Sequence, residues 1–244
     1  MRPKLFVWRG ITIWSYPALL YLGLVAGVVA GNIAAHAAQI DAFRTFVATL
    51  ILIAVCLAGA RLLHVAMHWH TYQNDYARIW DRDEGGLAML GAMPLAIPTS
   101  VPLLALLGVP YGAFWDVAAF TILTGMVPTR LGCLLNGCCS GRPSRSRFGL
   151  NLPNHRGVWT RRIPTQCLEA AWASVLLAGA VAAWKFAPFS GAMFLAVMGA
   201  YALGRLAMES MRELTVPGTI TTGHIISGVM VLCSTAALAI LWPR

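Results

Sequence analysis

Four groups of ionisable residues interrupt otherwise apolar runs of this 244-residue chain. Arg61 lies in Gly-Ala-Arg-Leu-Leu-His, Asp116 opens a second run, and Arg130 follows Pro128 near that run's end. Arg205, Glu209 and Arg212 close a third. A charge at the centre of a bilayer costs about 3 kcal/mol or more and marks function by default. Positions 205 and 209 share a helix face and can pair, and 212 extends the stripe. A salt-bridge face that only anchors a helix end is the alternative. Arg130 stands among Gly132, Asn136, Gly137 and Gly141. Glycines let backbone approach closely and leave amides available, and a guanidinium fork with free amides suits phosphate oxygens.

The thiols and imidazoles offer less defined chemistry. Cys56 and Cys233 sit inside apolar runs and read as small core residues. Cys133, Cys138 and Cys139 leave three readings open: small structural residues, a disulfide in an oxidising compartment, or a reactive thiol made nucleophilic by nearby arginines. Adjacent cysteines are awkward zinc ligands and C-x4-C-C is an unfamiliar spacing, so no metal site is assigned and no cofactor is expected. His64, His68 and His70 surround Trp69 at the end of a run, which favours an interfacial role over a metal face.

The elements that must position these groups are membrane helices. The chain is 58% hydrophobic and 11% charged, whereas a soluble domain is about one quarter charged. Apolar runs of the length a bilayer needs fall near 11–38, 43–69, 85–109, 111–135, 167–187, 189–211 and 223–242. The expectation is an all-α membrane protein of about seven spans forming one domain over 1–244, with aromatic belts at the span ends. Pro94, Pro98 and Pro102 make a straight third helix improbable, so this segment is expected to be broken and to line a cavity. The net charge of +9 fits anionic lipid and topology better than nucleic acid. Counting Lys and Arg puts the N-terminus and the arginines of 142–162 inside.

These residues resemble the prolipoprotein diacylglyceryl transferases of bacterial membranes. Arg130-Leu-Gly-Cys-Leu-Leu-Asn136-Gly-Cys-Cys-Ser-Gly141 is similar to that family's Arg-x-Gly-Asn-Phe-x-Asn-x-Glu-x-x-Gly motif, in a cysteine-rich form. In the same order come an early tyrosine at Tyr16, the Arg61 span followed by Glu84-Gly85-Gly86-Leu87, and Pro164-Thr165-Gln166-Cys-Leu-Glu169. Tyr201-x3-Arg205-x3-Glu209-x2-Arg212 and Gly223-His224-Ile-Ile-Ser227 complete the pattern. Three places depart from it: Met89-Leu90-Gly91-Ala92 lacks a polar group near the paired glycines, Cys133 and Cys138 replace Asn and Glu, and Ile163 stands where histidine is usual.

The resemblance implies seven spans around a central cavity open to lipid in the bacterial plasma (inner) membrane, with the site toward the outer leaflet. It also implies phosphatidylglycerol as donor and a prolipoprotein lipobox cysteine as acceptor. Arg130 and Arg205 would hold the phosphate and Glu209 would orient Arg205. Tyr16 and Asn136 would line the cavity, and Arg61, Gly141, Tyr201 and Arg212 are further substrate-binding candidates. Cys133, Cys138, Cys139 and His224 are candidate thiols or bases. The same donor with another acceptor, or a non-catalytic lipid- or partner-binding protein of this fold, are the other readings.

Overall fold

The computed structural model describes residues 4–9, 11–73, 75–80, 92–154, 157–213 and 220–243. Its chain forms two compact units, one of residues 1–34 and 115–244 and one of residues 35–114. In chain order the helices are α1 (Ser15–Ala37), α2 (Ala42–Met67), a short α3 (Trp69–Tyr72), α4 (Ala92–Leu107), α5 (Tyr111–Asn136), α6 (Thr165–Ala183), α7 (Ala192–Glu209) and α8 (Thr222–Leu241). Among the described residues, six helices are long and apolar enough to cross a membrane. The described part of the seventh expected span is α4, an apolar helix of 16 residues. The start of that span, with the Gly-Gly-Leu segment and Met89–Gly91, lies outside the described residues.

The expectation of a broken helix at the prolines is corrected. Pro98 and Pro102 lie inside α4, which runs on through them. Thr99 Oγ1 donates to the Leu95 carbonyl at 2.7 Å and Ser100 Oγ to that of Ile97 at 2.6 Å, within the same turns. Arg61, buried on α2, donates from Nε to the Ile79 carbonyl at 2.6 Å and from Nη2 to that of Arg78 at 3.0 Å, with its guanidinium over the Tyr72 ring. It thereby holds the 3-10 turn Tyr76–Trp80 against its own helix. His64 and His68 lie ring against ring, 4.4 Å between centroids.

In the other unit, α1 and α5 meet through small residues. A Cβ at Gly23 would lie 2.5 Å from the Gly125 carbonyl oxygen and one at Gly27 2.5 Å from that of Thr121, so only glycine allows this approach. Spaced every fourth residue, Gly23, Gly27 and Gly31 form one face of α1, the small-residue packing that joins helices in lipid. Val25, Val29 and Ile33, offset by half a turn, are exposed. An apolar face of this kind is a liability in water and at home against acyl chains. Asp116, counted above among the charges that mark function, has a structural task. Its carboxylate accepts from the backbone N–H groups of Gly191 at 2.7 Å and Phe194 at 2.9 Å, capping the positive end of α7 from a neighbouring helix.

Two short antiparallel hairpins accompany the helices. β1 (Lys4–Trp8) pairs with β2 (Ile11–Trp14), and β3 (Leu150–Pro153) with β4 (Trp159–Arg162). The first takes residues 11–14 from the expected first span, because its β-branched and aromatic residues favour a pleated strand. In the second, Arg162 is 2% exposed and pairs with Glu213 at 2.8 Å. Glu213 also accepts from Asn154 Nδ2 at 3.2 Å. Removing one partner of a buried pair strands the other charge, at about 3–5 kcal/mol. Arg162→Ala should therefore lower the thermal midpoint of the detergent-purified protein by several degrees, and an unchanged melt would show the pair to be idle.

Candidate functional site

The site is assembled where α5, α6 and α7 converge, and its centre is Glu169. This carboxylate, in the second turn of α6, is 1% exposed. Its Oε1 accepts from Arg205 Nη1 at 2.7 Å and Arg212 Nη2 at 3.0 Å, while Oε2 meets Arg130 Nε at 2.5 Å. Glu209 adds a second carboxylate, its Oε2 lying 3.4 Å from Arg205 Nη2 and 3.2 Å from Arg212 Nε. Close helix packing makes this possible. The Trp172 indole fills the space a side chain at Gly204 would need, and its Nε1 donates to the Ala200 carbonyl at 3.2 Å. That contact sets α6 against α7 one turn from Glu169.

Three guanidiniums and two carboxylates leave one net positive charge in a site only partly open to solvent. The side chains of Arg130, Arg205 and Arg212 are 18%, 22% and 24% exposed, so each reaches both the buried carboxylate and the outside. Arg130 Nε and Arg212 Nε are close to their carboxylate oxygens but not aligned with them as hydrogen bonds. A monoanionic phosphodiester would neutralise the excess charge and supply oxygens to planar donors, the geometry that arginine favours.

Of the expected stripe, Arg205 and Glu209 lie on α7 and Arg212 just past its end, and Arg130 joins them from α5. Tyr201 lies within hydrogen-bonding reach of Arg130. Tyr16 occupies the first turn of α1, where its backbone lies against Gly132, and is within electrostatic reach of Arg130 and of Cys133, Cys138 and Cys139. Asn136, exposed at the end of α5, neighbours the Cys138 thiol. Gly141 acts through its backbone: its N–H donates to the Ile163 carbonyl at 2.9 Å, and a Cβ there would press on the Ile163 and Met211 carbonyls at 2.7 and 2.8 Å. Arg61 belongs to the other unit and serves the local task described above.

His224 closes a chain leading from the site. In the capping box of α8, Thr221 N–H donates to His224 Nδ1 at 3.3 Å and Thr221 Oγ1 donates to Glu209 at 3.3 Å. Accepting at Nδ1 places the ring proton on Nε2, so this tautomer offers no basic nitrogen at Nδ1 beyond the cap. Gly223 matters for the same reason, because a Cβ there would overlap the Glu209 carboxylate. Gly223→Ala is expected to cut turnover at least tenfold while leaving the melt within a few degrees of wild type. Unchanged turnover would show that Glu209 can move without consequence.

Sequence reasoning missed Glu169 as a functional residue. A single carboxylate in the otherwise uncharged α6 is the same signal that drew attention to Arg130, but Glu169 entered only as the last residue of a motif, with no role. The two residues that pin the cysteine loop were missed as well. Thr165 Oγ1 donates to the Cys139 carbonyl at 2.7 Å and Gln166 Nε2 to the Cys138 carbonyl at 2.6 Å, and both side chains are 1% exposed. Donation from the Cys133 and Cys138 thiols, together with the charges of Arg212 and Arg130, holds the Cys139 thiol well below the usual range.

Comparison with known proteins agrees with this geometry. The family model described as prolipoprotein diacylglyceryl transferase matches residues 3–240. A phosphatidylglycerol–prolipoprotein diacylglyceryl transferase of Halalkalibacterium halodurans is 28% identical over 96% of this chain and 83% of its own length. One of Mycobacterium leprae is 31% identical over 86% of this chain and 71% of its own, and one of Clostridium botulinum is 26% identical over 96% of each. With these matches along almost its whole length, the chain belongs to the prolipoprotein diacylglyceryl transferase family.

Proposed function

We propose that this multi-pass membrane enzyme transfers the diacylglyceryl group of phosphatidylglycerol to the thiol of a prolipoprotein cysteine, in the bacterial plasma membrane. The observation that carries the reading is the convergence of Arg130, Arg205 and Arg212 on one buried carboxylate. The guanidiniums hold the donor phosphate, with Glu169 and Glu209 fixing their directions. The acceptor sulfur, as thiolate, attacks the glyceryl carbon next to the phosphate oxygen. A sulfur–carbon bond forms, the carbon–oxygen bond breaks, and its electron pair leaves on glycerol phosphate. The leaving phosphate gains one negative charge as this happens. Preorganised donors aimed at such developing charge are commonly the largest single contribution to an enzyme's rate.

Two features favour this reading over a simple structural salt-bridge cluster: the excess of guanidiniums over carboxylates, and the partial exposure that all three arginine side chains keep. The test is incubation of the purified protein with phosphatidylglycerol labelled in its acyl chains, with and without a lipobox peptide. Labelled peptide and released glycerol phosphate are expected together. A labelled product formed equally without peptide would assign another acceptor, and binding with no product would make this a lipid-binding member of the family.

A further inference from the structure

We propose that Cys133, Cys138 and Cys139 form a three-thiolate site for a soft cation of the zinc class, with a fourth coordination position open to the acceptor thiol. The three Sγ atoms lie within 4.8 Å of one another. Sulfurs bound tetrahedrally at about 2.3 Å from zinc sit about 3.8 Å apart, so closure on an ion needs shifts of an ångström or less. Cys133 comes from the last turn of α5, while Cys138 and Cys139 follow the helix-ending Gly137, whose φ is 79°.

Adjacent side chains on an extended strand point to opposite faces, which is why neighbouring cysteines make poor joint ligands. Here the backbone removes that objection. Cys139 has φ of 62°, a left-handed conformation that non-glycine residues rarely occupy, and this turn brings both thiols toward Cys133. The conformation is held from outside: Gly137 and Cys138 N–H donate to the Cys133 carbonyl at 3.0 and 3.1 Å, and Thr165 and Gln166 clamp the next two carbonyls. Buried partners that fix the chain behind candidate ligands are the support that metal sites require.

The charges and exposure agree. Three thiolates around a divalent ion carry one negative charge, and the Arg130 and Arg212 charges act on this cluster. Cys133 is buried and Cys139 exposed, leaving one side of the cluster reachable. Three protein ligands with one open position are the pattern of catalytic rather than structural zinc. For its role, though not for ion binding, this inference rests on the transferase reading. An acceptor thiol entering the fourth position loses its proton to water and is held as thiolate. Its sulfur then forms the bond to the glyceryl carbon while the phosphate leaves with the carbon–oxygen electron pair, and no oxidant or reductant is involved.

The experiment uses the full-length protein in detergent, reduced and stripped of metal by chelation, titrated with cadmium and with zinc. One cadmium per chain is expected, with a thiolate-to-metal charge-transfer band in the ultraviolet. Cys133→Ser, Cys138→Ser and Cys139→Ser should each weaken binding at least tenfold, while Cys56→Ser and Cys233→Ser should bind as wild type. Thermal melts without metal identify any variant that fails to fold, and zinc protection of Cys139 from alkylation in wild type gives a readout free of that problem. No band in wild type, a band that survives the triple serine variant, or alkylation unaffected by zinc would overturn the ion site. Stoichiometric binding together with undiminished transfer by the stripped enzyme would overturn the role of the open position. Cadmium uptake without any product from labelled phosphatidylglycerol would uphold the ion site and remove the transferase reading instead.

Discussion

Replacing Glu169 by glutamine should abolish transfer from phosphatidylglycerol and destabilise the protein at the same time. Glutamine keeps the shape of the side chain and removes its charge. Arg130, Arg205 and Arg212, which all close on this carboxylate, would then face one another across a nearly solvent-free centre with only Glu209 to compensate. Breaking a buried ion pair by removing one partner costs about 3–5 kcal/mol. If half of that were lost from transition-state stabilisation, turnover would fall about tenfold for each 1.36 kcal/mol, hence by one to two orders of magnitude from electrostatics alone. Loss of aim in three donors adds to this, because small misplacements of positioning groups are expensive. Glu169→Asp keeps the charge but withdraws it by one methylene, and should retain more stability than activity. The measurements are labelled-donor turnover and a melt in detergent. A folded Glu169→Gln protein turning over at the wild-type rate would end the view that this carboxylate organises the site.

Arg205→Lys is expected to lower turnover by at least two orders of magnitude with a much smaller effect on folding. Arg205 uses the two arms of its fork separately, Nη1 on Glu169 at 2.7 Å and Nη2 toward Glu209 at 3.4 Å. A lysine ammonium retains the charge, but as a point donor it cannot span both carboxylates while offering a flat edge to phosphate. Charge alone would preserve binding of an anionic lipid, so the loss should fall on kcat more than on KM, the mark of an interaction tightened in the transition state. Equal kcat in the lysine variant would mean that charge suffices, and the bidentate phosphate grip would have to be abandoned.

How much of this was legible in advance follows a physical division. The membrane character of the chain needed only composition and the length of its apolar runs, because the solvent of a helix is written in every residue of it. The stripe of Arg205, Glu209 and Arg212 was equally plain, since helical spacing alone puts positions four and three apart on one face. The glycines around Arg130 and the ordered motif segments were legible for the same local reason. Local reading also misled. The prolines of α4 suggested a break, whereas the helix runs on through Pro98 and Pro102, and Asp116 looked functional until its carboxylate proved to cap α7.

By itself, the sequence determined that several helices cross a lipid bilayer and that a few arginines are retained there against their solvation cost. Only the tertiary structure decided that Glu169 is their common partner, 36 and 43 residues away from Arg205 and Arg212. It alone turned three scattered cysteines into one cluster and buried the pair of Arg162 and Glu213. The reason is that periodicity encodes which side of a helix a residue occupies, while the identity of the group it meets depends on how close neighbouring helices come. Here that closeness is set by glycines packed against a backbone or an indole, and the spacing of the glycines does not name the partner they meet.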